Sequence, residues 1–194
     1  MKAVRATLVL GLVLLLAACA VEEGATAVEI ASKRYVSVEN PYIEIVSMVE
    51  RRSERAAHTA MIINASQRVI YDPAGTFQHE DLVERGDIHY GANDRMVSYY
   101  ERYHARFSHY VHVQRIVVSA EVAERVLKRA QAQGPSPKMF CAVHAASVLN
   151  DSLGTSFARS FFPEDLRRSV ARMPGVIDRY RYEEDRTKAV PTGA

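Results

Sequence analysis

The sequence predicts an α+β fold, an antiparallel sheet packed against helices. Three observations carry this. Short β-type runs fall at 56–63, 68–72 and 110–118, and helix-type segments with recognisable caps lie among them. The runs 56–63 and 68–72 are joined by Asn64-Ala65-Ser66-Gln67, a connection that only an antiparallel hairpin can make. Glycine and proline stand at the ends of these segments more than inside them.

The elements follow in order. Residues 40–55 read as a helix after Pro41, because Ile45, Val46 and Val49 recur at helical spacing. Residues 56–63 read as a strand and 68–72 as its hairpin partner, broken by Asp72-Pro73-Ala74-Gly75. Residues 94–107, rich in tyrosine and arginine, read as a helix, and residues 110–118 alternate like a strand. Ser119 is a good N-cap, with Glu121 and Glu124 in the first turns of a helix that stops at Gly134. After Pro135 and Pro137 a helix is expected over 141–153, closed by Gly154. Pro163 suits the first position of a further helix, and residues 176–182 read as a last strand.

The N-terminus reads as a targeting segment. Lys2 and Arg5 precede an apolar run from Ala6 to Leu16, too short to span a bilayer, which takes about 20 residues. The run ends at Leu16-Ala17-Ala18-Cys19, which resembles the lipobox of bacterial lipoproteins. That resemblance implies removal of residues 1–18, lipid on Cys19 and attachment to the cell envelope. Ala20, where retention at the inner membrane would call for Asp, points to the outer membrane, facing the periplasm. Residues 19–34 are expected to form a tether, 35–187 the folded domain and 188–194 a frayed tail.

Charge excludes one class of partner. The chain has 25 basic and 23 acidic residues, but losing Lys2 and Arg5 makes the counts equal. No basic stripe remains to bind nucleic acid. Membrane attachment then falls to lipid on Cys19. No cofactor is called for. His104, His109 and His112 cluster in sequence, but their spacing fits no closed zinc pattern.

With Cys19 acylated, the second of the two cysteines, Cys141, has no partner within the chain. A lone thiol in an oxidising compartment is either buried and inert or reactive by design. Cys141 falls at the start of the 141–153 helix, where free N–H groups and the helix dipole favour thiolate. Ala142, Ala145, Ala146, Leu149 and Leu153 form a face that can sit close against a sheet. A nucleophilic thiol needs a base. His58, at the head of an apolar strand, is one candidate. His144, one helical turn from Cys141, is the other.

The segments His58-Thr59-Ala60-Met61-Ile62-Ile63 and Arg68-Val69-Ile70-Tyr71-Asp72-Pro73-Ala74-Gly75 together resemble the histidine-bearing hairpin of the NlpC-like cysteine peptidases. Phe140-Cys141-Ala142-Val143-His144 resembles their nucleophile-bearing helix start. Here His58 precedes Cys141 by 83 residues, the reverse of the usual order. That order resembles the circularly permuted branch of the papain-like superfamily, which includes YaeF-like lipoproteins and lecithin:retinol acyltransferase-like proteins. The resemblance implies a papain-like domain with Cys141 as nucleophile and His58 as base.

The orienting third residue depends on the hairpin turn. A turn of two or four residues puts Tyr71 on the His58 face, and a turn of three puts Asp72 there. A carboxylate holds an imidazolium better than a phenol does, which favours Asp72. Two function classes follow. One is a lipid-anchored hydrolase or acyltransferase that cleaves an amide or ester through an acyl-enzyme, with cell-wall peptides or lipid-linked acyl groups as substrates. The other is a non-catalytic lipoprotein serving as a binding or scaffold module.

Overall fold

The structure is a computed structural model that describes residues 24–182. The lipobox with Cys19 and the expected tail at 188–194 lie outside the described residues. Among the described residues, seven strands form one antiparallel sheet and five helices pack around it. The α+β reading and the antiparallel sheet therefore hold.

In chain order the elements are α1 (Ala27–Ser32), β1 (Tyr42–Glu50), β2 (Arg55–Asn64), β3 (Arg68–Tyr71), β4 (Val83–Arg85), β5 (Ile88–Tyr90), α2 (Asp94–His104), β6 (His109–Val117), α3 (Ala120–Gln133), α4 (Cys141–Leu153), α5 (Pro163–Val170) and β7 (Ile177–Arg181). The strand order is β4-β5-β3-β2-β1-β6-β7.

One expectation is overturned. Most of residues 40–55 forms strand β1, not a helix. β1 lies between β2 and β6 near the middle of the sheet and is covered on both faces. A strand buried on both faces need not alternate, so Ile43, Ile45, Val46 and Val49 mimic helical spacing. Their β-branched side chains suit the strand better.

The sheet separates two cores. On one face Ile43, Ile45, Met61, Ile63, Val69 and Tyr71 pack against α3, α4 and α5. On the other, Ala60, Ile62, Ile70 and Val113 pack against Met96 and Tyr100 of α2. The caps fall where expected. Ser119 Oγ accepts from the Val122 N–H at the start of α3, and Gly154 closes α4 in the left-handed conformation. The stretch expected as a tether includes helix α1 and a bond to β4. Ala25 N–H donates to Glu84 O at 2.7 Å, and Thr26 and Glu29 form a reciprocal cap on α1.

Candidate active site

Where β3 ends sets the site. Asn64 pairs with Arg68, leaving a three-residue turn, and Met61 pairs with Tyr71. This is the parity that puts Asp72 on the face of His58. Tyr71 points to the opposite core, so it is not the orienting residue. After Tyr71 the chain turns away through Asp72 and Pro73. β2 continues to Arg55 with no partner on that side, so its edge at Thr59 is open to another group.

That group is the start of α4. Cys141 is a free, buried cysteine and the first residue of the helix. Phe140 caps α4 without a side-chain hydrogen bond. The first N–H groups of the helix therefore have no intrahelical acceptor. Small residues let α4 come close: Ala145 and Ala146 pack in the core shared with the sheet, and Ala142 is buried too.

The three expected residues come together. His58 Nε2–H donates to Asp72 Oδ1 at 2.6 Å. The Cys141 thiol acts on the same imidazole and raises its basicity, and with Nε2 given to Asp72, Nδ1 is the nitrogen left to face the sulfur. The backbone N–H groups of Thr59 and Ala142 also favour the thiolate. Burial pushes the Cys141 thiol up, but the His58 hydrogen bond, its charge and those two N–H groups outweigh burial and bring it below the ordinary thiol value. Burial pulls His58 down, and its bonds to Asp72 and Cys141 overcome that and lift it to about 10. Burial raises Asp72, and the His58 hydrogen bond and charge bring it below the ordinary carboxylate value. All three directions favour thiolate, imidazolium and carboxylate in a line.

His144, the rival base, faces elsewhere. Its Nδ1 shares a 2.6 Å hydrogen bond with Ser136 Oγ.

Further residues enter the site that sequence reasoning did not single out for it. Tyr100 of α2 is fully buried, and its hydroxyl donates to Asp72 Oδ1 at 2.9 Å. His104 lies with its ring 5.9 Å from that of His58, and burial holds it neutral, down to about 4. Gly75 leaves room for the Asp72 carboxylate, since a Cβ there would overlap it. Only the Asp-Pro-Ala-Gly string hinted at this.

Among the described residues, no group of three or more His, Cys, Asp or Glu side chains is placed to hold a metal, and no helix is long and apolar enough to cross a membrane. A surface cleft of about 850 Å³ near α1 and the end of α3 is lined by Ile30, Arg34 and Gln131 among others and includes none of the three site residues. Comparison with models of protein families, with curated proteins and with solved structures finds no match.

Proposed function

We propose that this chain is a papain-like cysteine hydrolase or acyltransferase, held on the cell envelope by lipid on Cys19. The observation that carries the proposal is the line from the Cys141 thiol through His58 to Asp72, closed by the 2.6 Å bond.

The chemistry follows from that line. The Cys141 thiolate attacks the carbonyl carbon of an amide or ester. The oxyanion that forms lies beside the free N–H groups at the start of α4. His58 gives its proton to the leaving amine or alcohol, and a thioester remains on Cys141. Water, or an acceptor hydroxyl or amine, loses a proton to His58 and attacks the thioester, which frees the thiol. Asp72 keeps the imidazole oriented throughout.

The surroundings favour an apolar group near the scissile carbonyl. Phe140, just before Cys141, packs edge-on against Phe161 with ring centres 5.0 Å apart. Phe161 is 52 % exposed, and Met139 and Phe162 expose 74 % and 63 %. Cell-wall peptides and lipid-linked acyl groups both fit the envelope location. The reading as a non-catalytic binding module draws on one observation, the burial of Cys141, which is 5 % exposed.

The test is an acyl-enzyme trap. Brief incubation of the purified domain with p-nitrophenyl acetate at neutral pH, then acid quench and peptide mapping, is expected to find acetyl on the Cys141 peptide. No acetyl there, with release of nitrophenol no faster than in Cys141→Ala, would leave the binding module. Anchoring has its own test. Cys19→Ser is expected to lose metabolic acyl labelling and leave the membrane fraction, and retained labelling would end the lipoprotein reading.

A further inference from the structure

We propose that Asp87 is a positioning residue that holds the two loops of the active site in register. This rests on the reading of Cys141, His58 and Asp72 as a catalytic triad.

Arg85 pairs with Ile88, so Gly86 and Asp87 form the two-residue turn between β4 and β5. Both have positive φ, 58° and 63°. Such a turn asks for glycine, asparagine or aspartate. It does not ask that the carboxylate be used, yet here it is. Asp87 Oδ2 accepts from Ala74 N–H at 3.2 Å and from Ser136 N–H at 2.7 Å. The Asp87 carbonyl accepts from Asp72 N–H at 2.8 Å.

These partners belong to the two segments that bring the triad together. Asp72 and Ala74 lie in the turn after β3, which supplies the carboxylate. Ser136 lies in the segment between α3 and α4, which ends at the nucleophile. That segment has positive φ at Gly134 and again at Met139, 71° and 72°. Ser136 also reaches α4 itself, through its Oγ bond to His144 Nδ1. One side chain thus bridges the carboxylate loop and the nucleophile loop. Within the triad, the two loops meet through His58 on β2. Without the bridge, Cys141 can drift from the His58–Asp72 pair although each element still folds.

The turn supplies a clean variant. Asp87→Gly suits φ 63° and keeps the carbonyl bond to Asp72, but removes the carboxylate. Asp87→Asn suits the same turn and keeps an oxygen that can accept both N–H groups. The readouts are the pH dependence of iodoacetamide alkylation at Cys141 and the kcat and KM for p-nitrophenyl acetate. Asp87→Gly is expected to move the alkylation midpoint up towards a free thiol and to cut kcat about a hundredfold with little change in KM. Asp87→Asn is expected to restore most of both. Ser136→Ala, which cuts only the arm to α4 and keeps the Asp87 bonds, is expected to move the midpoint the same way by less. Asp87→Ala also removes the carboxylate and keeps the test open if Asp87→Gly does not fold.

A folded Asp87→Gly protein, or failing that Asp87→Ala, with the parent midpoint and the parent kcat would overturn the inference. The triad reading fails separately, if the parent itself titrates as a free thiol.

Discussion

Replacing His58 with alanine is expected to slow alkylation of Cys141 at pH 6 on the order of a hundredfold, because the thiol returns towards its ordinary pKa of about 8.5 or above. Cys141 is buried, and burial alone favours the neutral thiol. His58 supplies the hydrogen bond and the charge that reverse this. With both gone, the Thr59 and Ala142 N–H groups are left to oppose desolvation. His144→Ala is expected to change the rate far less, since His144 bonds Ser136.

The signs fix a pH window. The folded pKa of Cys141 is lowered, so the stability its thiolate adds is present above the ordinary thiol value and lost as pH falls through the lowered one. The folded pKa of His58 is raised, so its contribution is full below the ordinary imidazole value of about 6.5 and is lost as pH rises through about 10. Turnover should therefore rise on an acid limb below the free-thiol value and fall on an alkaline limb towards about 10. In His58→Ala the acid limb should move up, and a stopped-flow alkylation series against pH would measure the shift.

Asp72→Asn is expected to separate reactivity from turnover. An amide can still accept from His58 Nε2–H and from the Tyr100 hydroxyl, so the fold and the reactive thiol should persist. The imidazolium, however, loses the negative charge that stabilises it and the group that fixes its tautomer. Loss of the corresponding carboxylate in a Ser-His-Asp triad costs about ten-thousandfold in kcat, and a loss of about a hundredfold or more is expected here. The alkaline limb should also move down, because Asp72 is the first of the partners that lift His58. Steady-state kinetics with p-nitrophenyl acetate measure both effects. An unchanged kcat with an unchanged alkaline limb would remove Asp72 from the mechanism and leave it a buried turn residue.

Much of the site was legible because its residues sit where local rules are strong. Cys141 follows a proline-bearing segment and precedes a small-residue helix closed by Gly154, so its place at a helix start needed no tertiary information. The hairpin joining His58 to Asp72 was legible except for turn length, and parity then chose between Tyr71 and Asp72. β1 was misread because it is buried on both faces and its apolar residues carry no alternation. β4 and β5 are three residues each, too short for a periodic pattern, although Gly86-Asp87 between them is a hairpin signal. α1 was missed within a stretch read as tether, although Thr26 and Glu29 carry a capping box. Tyr100 was legible only as part of a tyrosine-rich helix. Its bond to Asp72 depends on how α2 lies across the sheet, and spacing within one helix does not contain that.

The proposed chemistry rests on His58 holding Cys141 as a thiolate. Its most direct test is the pH titration of Cys141 in the purified domain, read as alkylation rate with the label mapped to that residue. The midpoint is expected below the free-thiol value of about 8.5 in the parent and displaced upward in His58→Ala. A midpoint at the free-thiol value in the parent, unmoved by His58→Ala, would contradict it.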